Sequence, residues 1–168
     1  MVDKGQKPGG IGVLDLTPAY RDFCNSMTRA FKLDKSGEKV TIQDEVRFRR
    51  RAFYDSWWLA TLYKDTQLEI SSDGRNALLI RNGKKMKVSL FSDMKDLKFI
   101  ELPCSPLPNS EAILAAPKNW ENYKRLAVHL INGNRVSRDG YTLKIIFENA
   151  DKASPSDENI IPIKDWKL

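Results

Sequence analysis

The dipeptides Asp73-Gly74 and Asn82-Gly83 constrain this chain more than any other feature, because each stands between runs of alternating apolar and polar residues. Asn-Gly and Asp-Gly suit the positive-φ turns that join antiparallel strands tightly. Runs 67–71, 77–81 and 84–91 therefore predict a three-stranded meander, and 97–102 predicts a further strand. A second hairpin is expected from 125–131 and 141–147, with Gly133 in its loop and Asp139-Gly140 ahead of the returning strand. Between the two systems Pro103, Pro106 and Pro108 break regular structure, and Asn109 opens a short helix that Pro117 stops.

The first third of the chain reads differently. Thr17-Pro18 gives a cap followed by proline at the first helical position, and Tyr20, Phe23, Cys24, Met27 and Phe31 recur at helical spacing. That pattern predicts a helix over 17–33. Thr41 to Asp44 has the spacing of a capping box and predicts a second helix over most of 43–62, although 46–54 also fits an alternating strand. Residues 1–14, rich in glycine, predict a flexible arm, and the polar stretch 149–159 predicts a mobile loop before an apolar piece, 160–166, that docks. The fold class expected is α+β: N-terminal helices packed on an antiparallel sheet formed from two hairpin systems, as one domain over 15–168. A chain of 168 residues buries roughly 70 % of its unfolded surface, enough for one core.

Charge narrows the partners. Lysine plus arginine number 28 against 22 acidic residues, so the net charge of +6 favours anionic partners. The densest cluster is Arg47, Arg49, Arg50 and Arg51, interleaved with Phe48, Phe53 and Tyr54. Arginine forks grip phosphate and the aromatic rings stack or insert. Lys84, Lys85 and Lys87 at the Asn82-Gly83 tip are the expected assistants, and the two clusters make one basic platform if they share a face. Near an anionic leaflet four arginines supply roughly 4 kcal/mol, enough for reversible attachment only. The competing account makes both clusters solvated, solubilising surface. Adjacent tryptophans on one element face opposite ways, so of Trp57 and Trp58 one is an expected core anchor and the other an expected self-association contact.

Motifs for catalysis are missing. The one histidine, His129, lies opposite Leu126, Val128 and Leu130 in a predicted strand, where a structural role is expected. No HExxH, CxxC, G-x-S-x-G or P-loop spacing occurs, and two distant cysteines, Cys24 and Cys104, make neither a disulfide framework nor a zinc site. The expectation is a non-enzymatic binding protein with no cofactor, no metal and no small-molecule substrate. A metal-dependent nuclease built from dispersed carboxylates is the enzymatic alternative. With no apolar run long enough to span a bilayer and no signal-peptide pattern, the expected setting is intracellular, neither secreted nor transmembrane.

The segment 49–62, opened by Arg49-Arg50-Arg51, and the strand 141–147 running through an acidic loop to Ile160-Ile161-Pro162 resemble the matrix proteins of rhabdoviruses, in particular the short ones of plant-infecting members. The late-domain peptides PPxY and P[ST]AP of many animal-virus matrix proteins are absent. The resemblance implies a structural protein that self-associates, binds nucleocapsid or RNA, and contacts the inner face of the virion membrane peripherally. The alternative from the residues alone is an RNA-binding module such as a viral silencing suppressor or a movement-related factor.

Overall fold

The computed structural model describes residues 9–49, 55–104, 120–131, 140–153 and 159–167. Among them ten strands dominate: β1 Gly10–Asp15, β2 Cys24–Leu33, β3 Lys39–Phe48, β4 Asp55–Tyr63, β5 Gln67–Ile70, β6 Asn76–Arg81, β7 Lys84–Ser92, β8 Phe99–Pro103, β9 Tyr123–Ile131 and β10 Gly140–Asn149. They pair antiparallel throughout, in a seven-stranded sheet ordered β1-β2-β3-β10-β7-β6-β5 and a three-stranded sheet ordered β4-β9-β8. The expected meander is present as β5 to β7. The expected second hairpin is corrected: β9 and β10 are both strands, but β9 pairs with β4 and β8 in the small sheet and β10 with β3 and β7 in the large one. At the β6–β7 tip Asn82 (φ 51) and Gly83 (φ 71) both adopt positive φ, as a primed turn requires.

The expected N-terminal helices are corrected by this topology. The described residues contain one α-helix, α1 (Thr17–Tyr20), a single turn opened by Pro18. The rest of 17–33 is mainly β2, and 43–62 divides between β3 and β4. Gly10–Asp15, read as part of an arm, pairs with β2 as β1. One interaction explains both helix misreadings. Arg29 and Asp44 face each other across β2 and β3, with Nε donating to Oδ1 at 2.6 Å and Nη2 to Oδ2 at 2.7 Å. Asp44 is 3 % exposed. A charged residue therefore sits at an inward position of each strand and breaks the alternation that marks a half-buried strand. Without Arg29 in the count, Met27 and Phe31 fall four apart, as in a helix. Asp44 mimics the last residue of a capping box.

The two sheets pack face to face into a β-sandwich. Its core joins Trp58 of β4, Phe99 of β8 and Leu126, Val128 and Leu130 of β9 to Ala77, Leu79, Val88, Leu90, Leu143 and Ile145 of the larger sheet. Burying each of the larger side chains contributes about 1.5–3 kcal/mol. β1, β2 and β3 send no residue into this cluster, so that end of the large sheet extends past the sandwich proper. Trp58 is the core anchor expected of the tryptophan pair, 6.2 Å from the ring of Phe147.

β10 occupies the centre of the large sheet. It turns Tyr141, Leu143, Ile145 and Phe147 inward and Thr142, Lys144, Ile146 and Glu148 outward. Burial pushes the Tyr141 phenol well above its ordinary range, and the Asp44 carboxylate adds to the effect. A tyrosine held neutral in this way contributes stability that is present below its unfolded value, about 10, and lost as pH rises beyond it. In a spectrophotometric titration, one of the five tyrosines is expected to stay neutral until the fold is lost, and full ionisation of all five with the fold intact contradicts this. Gly140 opens β10 with φ 143, and a Cβ there would stand 1.7 Å from the Val46 carbonyl oxygen. Gly140→Ala is expected to cost at least roughly 2 kcal/mol in denaturant unfolding, because the clash is with backbone.

Candidate functional site

A strand buried on one face has solvent on the other, yet Thr41, Gln43, Lys144, Ile146 and Glu148 are all buried although they point outward from the large sheet. Much of the cover comes from the C-terminal segment 159–167, which lies across β10, β3 and β2 as a strap. Its grip is polar and reads the main chain. Lys144 Nζ donates to the Asn159 carbonyl at 2.6 Å, Gln43 Nε2 to the Ile161 carbonyl at 2.9 Å, and Lys32 Nζ to the Lys167 carbonyl. In the opposite sense the Ile163 N–H donates to Glu45 Oε1 at 2.7 Å. Ile163 is the strap's buried side chain, and Trp166 Nε1 staples the strap to itself through the Ile161 carbonyl at 3.1 Å.

Strap and sheet enclose a groove of about 530 Å³. The sheet supplies Lys32, Lys39, Lys144 and the floor residues Thr41, Gln43 and Ile146. The strap supplies Ile161, Asp165, Trp166 and Lys167, and Asp34 closes the rim. Four lysines and two aspartates thus line the groove. Gln43 Nε2 has two acceptors, Glu45 Oε1 at 3.0 Å and the Ile161 carbonyl, which fixes the amide's orientation. Its Oε1 is then a buried acceptor with no donor, a state that costs about 1–3 kcal/mol until a donor arrives.

Asp34 holds the groove's rim through the β2–β3 turn. Burial pushes its carboxyl up, but the Ser36 hydroxyl at 2.6 Å and the N–H groups of Lys39 and Glu38 outweigh it, so the carboxyl lies below its ordinary range. It is a carboxylate at neutral pH.

The residues expected from the sequence divide around this groove. Lys85 and Lys87 share the outer face with it. Lys87 stands beside Glu148, Nζ to Oε1 3.3 Å, and Lys39 pairs with Glu148 from the other side. Lys84 and Lys85 are exposed at the hairpin tip. Arg47 also points outward but lies about 27 Å along β3 from Lys39, with the strap crossing between them. Arg49 Nη1 donates to the Arg21 carbonyl at 3.0 Å. Arg50 and Arg51 lie outside the described residues. Of the described members, Arg47 on one side and Lys85 with Lys87 on the other share a face but occupy its opposite ends. Trp57 stacks on His129 across β4 and β9, ring centroids 3.8 Å apart and planes nearly parallel, on the outer face of the small sheet.

Sequence reading missed Lys32, Lys39, Lys144 and Lys167, because they come from four separate segments. The available signal was Lys144, a charge in an otherwise apolar predicted strand, with Trp166 as an apolar anchor in a polar tail. The described residues hold no group of three or more histidine, cysteine or acidic side chains able to bind a metal, and no helix among them is long and apolar enough to cross a membrane.

The class defined by this architecture is an antiparallel β-sandwich with a cationic groove on the outer face of its larger sheet. Solved structures share the fold. One heparinase III structure aligns with 90 % of this chain and 22 % of its own at a TM-score of 0.56 and 19 % identity, and a second heparinase III structure with 89 % and 22 % at 0.51 and 11 % identity. The chain thus spans about a fifth of the length of those proteins. No protein-family model and no curated protein matches the sequence.

Since the Asp34 carboxyl is depressed, its stabilising contribution is present above its unfolded value, about 4, and is lost as pH falls through the folded one. Asp34→Asn is expected to lower the melting temperature at neutral pH, with the difference from the parent narrowing below about pH 3. An equal difference at both pH values contradicts the assignment.

Proposed function

We propose that this chain is a non-catalytic binding module that holds an acidic polysaccharide against the lysine-lined groove. The observation that carries the reading is the convergence of four lysines and two carboxylates around one groove. A ligand that suits all of them bears negative charge and hydroxyl donors together. Charge-assisted hydrogen bonds from the ammonium groups contribute about 1.5–3 kcal/mol each. The hydroxyls meet the carboxylates. Lys87 and Lys85 extend the positive surface beyond the groove, which suits a polymer better than a small ion. The fold likeness to part of heparinase III, a protein whose name ties it to an acidic polysaccharide, supports the same class.

The matrix-protein and RNA readings share the electrostatic premise and serve as competitors in the test. Binding to heparin, single-stranded RNA and phosphatidylserine vesicles is measured across a salt series. Heparin is expected to bind most tightly, with affinity falling as salt rises. Lys32→Ala combined with Lys39→Ala is expected to reduce the slope of log affinity against log salt by about two, while Arg47→Ala leaves it unchanged. Tighter binding to RNA or to vesicles, with heparin displaced, hands the site to that partner. No binding to any of the three removes the reading.

A further inference from the structure

We infer that the C-terminal strap is a clamp whose closure and the occupation of the groove stabilise each other. The inference rests on the proposed polysaccharide reading and adds its regulation. One wall of the groove is strap, through Trp166 and Lys167, and the other is sheet, through Lys32, Lys39 and Lys144. A polyanion lodged between them touches cations on both sides and ties the strap to the sheet. It also screens the repulsion between Lys167 and the sheet lysines, which rises when the strap closes. The complete site exists only with the strap docked, so a ligand for that site draws the strap toward the docked state.

The docking itself is poised for such control. Hydrogen bonds from Lys32, Gln43, Lys144 and to Glu45 hold the strap's main chain, and Ile163 is its buried side chain. Ile163 takes no part in lining the groove. A change at Ile163 therefore reaches the ligand only through the strap. Glu45, which accepts from the Ile163 N–H, is a positioning residue for the same reason.

The test uses the full chain and a heparin octasaccharide. Hydrogen exchange at the Ile163 and Trp166 amides is followed with and without saturating ligand, and affinity is measured for the parent, Ile163→Ser and Lys39→Ala. The ligand is expected to slow exchange at both amides by about tenfold or more in the parent, as a shift toward the docked state demands. Ile163→Ser is expected to weaken binding by about tenfold with the groove's own side chains unchanged. Lys39→Ala removes part of the repulsion that opposes closure, so its unliganded exchange is expected to be no faster than the parent's, and it loses most of the ligand-induced slowing. Octasaccharide binding with no slowing at Ile163, or with undiminished affinity in Ile163→Ser, overturns the clamp while the polysaccharide reading stands. Absence of binding in the parent removes both.

Discussion

β10 is buried on both sides, and the site depends on that arrangement. Its inward residues Leu143 and Ile145 lock into the sandwich core, so the strand cannot shift register without losing them. The same register carries Lys144 and Ile146 on the outer face, opposite Gln43 and Thr41 of β3. The groove is therefore positioned by packing on the far side of the sheet. A slip of one residue would exchange core and site together.

The outer face illustrates how a sheet holds a segment that is not a strand. Lys32, Gln43 and Lys144 donate to strap carbonyls, and Glu45 accepts a strap N–H. Buried polar groups without partners are costly, so these side chains and the strap satisfy one another. The exception is Gln43 Oε1. The inward ion pair Arg29–Asp44 on the neighbouring strands works by the same rule. Its two-pronged geometry offsets the cost of keeping Asp44 away from water.

The strands of the second half were legible in the sequence, because β5 to β7, β9 and β10 obey alternation and the turns of the β5 to β7 meander carry the residues that positive φ demands. Alternation does not say which strands pair, however, and β9 and β10 belong to different sheets. His129 lay outward and Trp58 inward, as the period of two required. The first half was not legible. Arg29 and Asp44 are explicable only as a pair, and their positions 15 residues apart carry no local sign of contact. The groove was harder still. A polar sheet face reads as solvent-exposed until the strap that covers it is known, and Lys32, Lys39, Lys144 and Lys167 become neighbours only through cross-strand register and strap docking. Arg47, which opens the arginine run that dominates the sequence, stands apart from them at the other end of β3.

The most direct measurement is nuclear magnetic resonance of the lysine side chains and tryptophan indoles during titration with a heparin oligosaccharide. The account predicts that Lys32, Lys39, Lys144 and Lys167 shift together with the Trp166 indole, in one saturable process. Shifts confined to Lys84 and Lys85, or to Arg47, with the groove lysines unmoved, would contradict it.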